Sequence, residues 1–319
     1  MDPSMKKIRS LIIICLLVLS GCTKNIIINE DPYLSDNKGK LPEGRYEINT
    51  HPYYGVGLIF DISDEPEFKD VDVYIVHSEM ELALLMAIHI EQLAYDFYYV
   101  EDRELDYEKI WPYLTALLVN EVEIEDGSYD VPETNPTATY YSYNFTYNLD
   151  KTHRVENAID EWTYEYKSSY FSDHDKAEYS LMDMLEAVVY DDAALNDEER
   201  TDDGFTALGV FQDGQAVCNG YSQAYMGLLK DMDIPAILIS SDIDDHAWNM
   251  IYVDNEWTYV DSTWEDDFYE TSDKWYYFLL DQEELEYDHR FDSGNGDTLN
   301  AKDYLEFAHY VFPKTSDAQ

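Results

Sequence analysis

Three side chains in this sequence have the types and the order that acyl transfer needs: Cys218, His246 and Asp261. Cys218 lies in GQAVCNGYSQAYMGLLKDM, His246 in DDHAWNMIYVD and Asp261 in EWTYVDSTW. A thiol served by an imidazole, with a carboxylate orienting that imidazole, can attack a carbonyl carbon and form a covalent thioester. Singly, each residue has a bland explanation. A lone cysteine is commonly a small buried hydrophobe, a strand histidine a satisfied core residue, and an aspartate a turn cap. Their joint occurrence in this order raises the expectation of chemistry.

The elements that must position them are legible too. Tyr221, Ala224, Tyr225, Leu228 and Leu229 recur at helical spacing, which predicts a helix starting at or just after Cys218. A thiol there meets the positive end of the helix dipole, an arrangement that favours thiolate. The same amides can hold an oxyanion. Gly214 and Gly220 relieve backbone crowding on either side.

Downstream, His246, Trp248, Met250 and Tyr252 alternate onto one strand face, and Trp257, Tyr259 and Asp261 onto another. Asp254-Asn255 between them predicts a two-residue hairpin turn. Pairing Val253 with Glu256 then sets Asp261 opposite Trp248. His246 and Asp261 become diagonal neighbours on one face, about 7–8 Å apart. An odd-length loop without a bulge would destroy that parity.

The chain has three cysteines, Cys15, Cys22 and Cys218. Lys6, Lys7 and Arg9 precede the apolar run SLIIICLLVLSGC, too short for a confident membrane span. Its end, Leu19-Ser20-Gly21-Cys22, resembles the bacterial lipoprotein signal motif. That resemblance implies a signal peptide over 1–21, cleavage before Cys22, lipid on Cys22 and a polar tether over 22–45. The expected location is the outer face of a bacterial cell membrane, or a periplasm-facing or outer-membrane site in a double-membraned cell. Cys218 would then be the one cysteine of the folded body, which excludes an intramolecular disulfide there.

The formal net charge is -48, from 68 acidic and 20 basic residues. With no basic stripe to neutralise phosphates, nucleic acid is excluded as a partner. Anionic headgroups would repel this body, so membrane attachment must rest on the lipid. The sequence holds no HExxH, GxSxG or phosphate-binding glycine loop, and DSGNGDTLNAKDYLE lacks the EF-hand pattern. Neither a cofactor nor a metal is expected.

Residues 46–150 are expected to form an N-terminal α/β module. Asp70–Val76 alternates like a strand, and Ser78 with Glu81 makes a capping-box pattern before LALLMAIHIEQL. A helix is expected from about Tyr107 to Val119. Tyr141, Tyr143, Phe145 and Tyr147 share one strand face. From Thr152 the spacing turns helical, through Val155, Ile159, Trp162 and Tyr166, and again through Ala177, Leu181, Met184 and Val188.

GQAVCNGYSQAYMGLLKDMDIPAILIS, HAWNMIYVDNEWTYVDSTWED and, more weakly, YYFLLDQEELEYDHRF resemble the transglutaminase-like superfamily of papain-like cysteine enzymes. The resemblance covers roughly residues 150 to 290. It implies an α+β fold in which the helix carrying the cysteine packs on an antiparallel sheet carrying histidine and aspartate, within a catalytic domain over 151–319. It also implies Cys218 as nucleophile, His246 as base and Asp261 as third member. An upstream helix ending VVYDD brings Tyr190 and Asp191 near the cleft, and Tyr190, Tyr221, Trp248 and Trp264 are its candidate lining. His289 matches a recurrent family histidine and is expected to be structural. The expected activity is thiol acyl transfer on amide or peptide bonds of protein or peptide substrates, with hydrolysis favoured over cross-linking. The rival is a non-catalytic surface binding module that keeps the same fold. Oligomeric state is left open.

Overall fold

The computed structural model describes residues 45–50, 53–54, 57–62, 73–101, 103–126, 140–194, 202–269, 274–294 and 298–318. The expected signal peptide, Cys22 and the tether up to residue 44 lie outside the described residues.

The first sheet is built from β1 (Arg45–Thr50), β2 (Gly57–Ile62), β3 (Val73–Val76), β4 (Asp96–Glu101), β5 (Glu123–Asp126) and β6 (Tyr140–Thr146), in the order β1-β2-β3-β4-β6-β5. Strands β3 and β4 run parallel, and helix α1 (Glu79–Glu91) connects them. The Ser78 hydroxyl caps α1 by accepting from the Glu81 amide at 3.1 Å. The Glu81 carboxylate reaches back to the His77 amide at 2.7 Å, one residue earlier than the capping-box pattern implies. Leu82 through Ile88 are all buried, as expected of a helix apolar on every side.

The second helix is shorter than its expected span to Val119. A 3₁₀ turn (Tyr107–Lys109) leads into α2 (Ile110–Thr115), which ends where the Ala116 carbonyl accepts from the Leu238 amide at 2.9 Å. Tertiary pairing overrides the local helical preference of the ALLV run. On β6, Tyr143 and Phe145 are buried and Asn144 and Thr146 exposed, and the buried rings stack on Phe97 with centroids 6.0 Å away.

Next come α3 (Leu149–Thr163) and α4 (Asp173–Ala187), then β7 (Val189–Tyr190) pairing parallel with β8 (Gln215–Ala216), and α5 (Cys218–Asp231). The second sheet, ordered β12-β11-β10-β9, contains β9 (Ala236–Ser241), β10 (His246–Val253), β11 (Glu256–Val260) and β12 (Phe278–Leu280). Helices α6 (Ser262–Tyr269), α7 (Gln282–Leu285) and α8 (Ala301–Val311) complete the chain's main elements.

A period of two divides this sheet between two hydrophobic layers. Ile237, Ile239, Trp248, Met250 and Tyr259 join a core with α1 and α8. Leu238, Ala247, Ile251, Val253 and Val260 join another with α4 and α5. The sheet is therefore covered on both faces, and one of its layers is continuous with the core beneath the first sheet.

The candidate active site

Helix α5 begins at Cys218 behind Val217, whose side chain has no oxygen with which to cap the first-turn amides. The helix start is fixed from behind. The Val217 amide donates to the Gly204 carbonyl at 2.9 Å, and the Asn219 side-chain amide to the Phe205 carbonyl at 2.7 Å. A Cβ on Gly220 would lie 2.8 Å from the Thr206 carbonyl oxygen and 2.8 Å from the Ala216 Cβ. Glycine at this position lets the loop over 204–206 press against the first turn and locks the place of the half-buried Cys218 thiol.

His246 opens β10. The β10–β11 register pairs Val253 with Glu256 and Asn249 with Val260, and Asp254 and Asn255 both take positive φ (56° and 69°), as a type I′ hairpin turn requires. Asp261 follows β11 immediately. Its Oδ2 accepts from His246 Nε2 at 2.7 Å, and Cys218 lies close enough to the His246 ring to strengthen its hold on a proton. With Nε2 engaged by Asp261, Nδ1 is the nitrogen left for sulfur. The structure thus brings all three residues together, with His246 hydrogen-bonded to Asp261 and Cys218 beside the ring. The loop ahead of His246 is tied down as well: Arg290 Nε donates to Asp244 at 2.6 Å, and Asp292 accepts from the Asp242 and Ile243 amides at 3.1 and 3.2 Å.

Asp261 is fully buried and accepts four hydrogen bonds. Its Oδ1 takes the Thr263 and Trp264 amides at 2.9 and 3.1 Å, capping α6, while Oδ2 takes His246 and, at 2.8 Å, His289 Nε2. Burial opposes its ionisation, but hydrogen bonds from the two histidines outweigh burial and hold the carboxyl below the ordinary range. Burial likewise disfavours charge on His246, yet the bonds to Asp261 and Cys218 win and push the imidazole up to about 10. His246 therefore holds a proton far more tightly than an ordinary histidine.

His289, expected to be structural, is buried at this centre and braces the carboxylate. Its Nδ1 faces Asp288 Oδ1 at 2.8 Å, and Asp288 in turn accepts from the Tyr277 hydroxyl at 2.8 Å. The acid directly before His289 in YDHRF is the sequence signal for such a braced ring. Trp264 stacks on His246 with centroids 5.2 Å apart. The nitrogens of His246 and His289 and the Asp261 oxygens lie within 4.8 Å of one another, donor types that could hold a metal ion, but their mutual hydrogen bonds already account for the grouping.

Two of the expected cleft residues need correction. Tyr221 is fully buried because it sits on the core stripe of α5, where its hydroxyl donates to Asp266 at 2.7 Å. Trp248 is fully buried in the layer shared with His289 and Phe291, with ring centroids 5.0 and 5.5 Å away. Tyr190 stays partly exposed on β7, where the Asp191 amide donates to the Ala216 carbonyl at 2.9 Å, two residues before the nucleophile. Burial first, then the nearby Cys218 sulfur, push the Tyr190 hydroxyl up to about 12, so it remains protonated and able to donate. Trp264 is half-buried beside His246.

Residues 165–262 match the family model described as the Transglutaminase-like superfamily. This segment is a transglutaminase-like domain. It holds Cys218, His246 and Asp261 together, and His289 lies beyond its matched end. Among solved structures, the chain is similar to a protein called a TGase, at 14% identity and a TM-score of 0.30 over 75% of this chain and 72% of that one. It is also similar to a candidate cysteine protease from Cytophaga hutchinsonii, at 16% identity and a TM-score of 0.27 over 45% of this chain and 62% of the other. No curated protein matches the chain.

Proposed function

We propose that this protein is an exported, lipid-anchored thiol acyl-transfer enzyme that opens amide or peptide bonds of proteins or peptides, ending in hydrolysis rather than cross-linking. The observation that carries the reading is the His246–Asp261 hydrogen bond, with Cys218 beside the His246 ring at the start of α5. The Cys218 thiol passes its proton to His246 as its sulfur attacks the substrate carbonyl carbon, and the carbonyl oxygen gains the negative charge. We assign that oxygen to the uncapped amides at the start of α5 and to the protonated Tyr190 hydroxyl near Cys218. As the tetrahedral intermediate collapses, imidazolium His246 gives its proton to the leaving amine and a thioester remains.

Acylation changes the histidine. Part of the upward push on His246 comes from Cys218, so acylating the sulfur makes the imidazole a weaker holder of its proton. Having lost that proton to the amine, His246 is poised as a base. It takes a proton from water, the hydroxide oxygen bonds to the acyl carbon, and the C–S bond breaks as the sulfur recovers a proton from His246. A primary amine in place of water would give transamidation by the same steps.

Product analysis with a glutamine-containing peptide, with and without a primary amine, tests the chemistry. Ammonia release or backbone cleavage that continues unchanged with the amine present is expected. Amine incorporation would replace hydrolysis by cross-linking, and the absence of every product would favour the binding-module alternative. Anchoring is tested by Cys22→Ala, which should move the protein from the membrane to the soluble fraction; an unchanged distribution would remove the lipid from the proposal.

A further inference from the structure

A groove of about 1120 Å³ runs from the first sheet to the start of the nucleophile helix. One wall is β5, the outer strand of its sheet among the described residues, paired on one side only, with β6. The opposite end is Asn219 and Gln223, one turn apart on α5, with Asn219 next in sequence to Cys218. Trp111 and Leu149, 42% and 39% exposed, form apolar sides. At the α5 end the Asn219 side chain is bonded to the Phe205 carbonyl, on the loop behind the helix start, and Cys218, His246 and Asp261 are not part of the lining.

The groove's chemistry narrows the occupant. Along the outer strand, Glu121, Glu123 and Glu125 are exposed, whereas Val122 and Ile124 turn to the core. The cation in the lining, Lys151, is already held by Asp203 and sits 3.6 Å from Glu121. A strand edge without a partner among the described residues offers a row of amide and carbonyl groups to an extended backbone. Carboxylates at every second position favour cationic side chains at every second position of an added strand.

We propose that this groove docks an extended, lysine-bearing polypeptide segment, which adds to β5 as a further strand. This goes beyond the acyl-transfer reading and stands apart from it. Docking itself needs no turnover, so it can be tested where chemistry is silenced.

The experiment uses the full chain carrying Cys218→Ala and fluorescent peptides of about ten residues, close to two strand lengths, with lysine at alternate positions. Anisotropy titrations compare this peptide with its glutamate counterpart and with two versions N-methylated at alternate amides, one in each frame. The lysine peptide should bind at least about tenfold tighter than the glutamate peptide. Methylation should weaken binding about tenfold or more in one frame and leave it nearly intact in the other, because only one set of amides faces β5. The double variant Glu121→Lys, Glu123→Lys should weaken the lysine peptide by a similar factor. Equal affinity for both methylated frames would overturn strand addition, and an unchanged affinity in the double variant would overturn this groove as the site. If these binding results hold while the wild-type protein yields no product, docking stands and the acyl-transfer reading falls.

Discussion

Replacing Cys218 by alanine is expected to remove turnover by about 10⁵-fold or more while leaving the fold intact. The nucleophile has no understudy, since the expected mature body contains no other cysteine. The side chain is half-buried, and its removal takes away one sulfur without stranding a buried charge, so stability should change by about 1 kcal/mol or less. A second consequence is more diagnostic. Against the opposing effect of burial, His246 is raised to about 10 by Asp261 and, after it, by Cys218. In the variant the Cys218 contribution vanishes and that of Asp261 remains, so the ring should titrate lower than in the wild type but still above an ordinary histidine. Ring-resolved NMR titration reads this directly. Residual turnover near the wild-type rate would show that sulfur is not the nucleophile, and an unmoved His246 titration would show that thiol and ring are not coupled.

Much of this site is legible in the sequence because its parts follow short-range rules. The hairpin is one example: Asp254-Asn255 tolerates positive φ, and a two-residue turn leaves a single register, which forces His246 and Asp261 onto one face. The start of α5 at Cys218 is equally legible from helical spacing. The features that sequence hides depend on distant contacts. Trp248 and Tyr221 belong to the alternations that mark the site, but only the layers packed on each face decide that both are sealed from solvent. His289 reaches Asp261 across 28 residues through a turn whose path no local pattern gives. Helix α2 stops early because Ala116 pairs with β9, a contact between segments more than a hundred residues apart. The outer strand β5 carries no distinguishing mark, since Glu121, Glu123 and Glu125 read simply as solvated acid in so acidic a chain.

Asp261→Asn should be more damaging than its near-identical shape suggests. The carboxylate accepts two amides on Oδ1 and two imidazole nitrogens on Oδ2. Asparagine supplies one acceptor oxygen and one donor nitrogen. If the oxygen keeps capping α6, the amide group faces two histidines that had been donating to it. His246 can then be satisfied only with Nε2 unprotonated, which puts its proton on Nδ1, the side that must take a proton when water attacks the thioester. The expected loss in kcat is about 10³–10⁴-fold, the scale seen when a triad carboxylate is neutralised. Stability should fall by about 3–5 kcal/mol, because the buried histidines lose their anionic partner.

The pH dependence supplies the sign. The folded-state carboxyl of Asp261 is held below its ordinary range, so its contribution to stability is present above the unfolded carboxylate range and is lost as pH falls. His246 is raised from 6.5 to about 10, so its contribution is complete below about 6.5 and is lost as pH rises through about 10. Wild-type stability should therefore decline on both sides of a mildly acidic plateau, and its acyl-transfer rate should fall above about pH 10 as His246 loses the proton it gives to the leaving amine. In Asp261→Asn the largest upward push on His246 is gone, so the alkaline fall in rate should move down by several pH units and the acid-side loss of stability should shrink. Denaturant melts and rate profiles across pH 4–11 separate these effects. An alkaline limb still near pH 10 in the asparagine variant would mean that Asp261 does not set the proton affinity of His246, and the chain from sulfur to carboxylate would have to be redrawn.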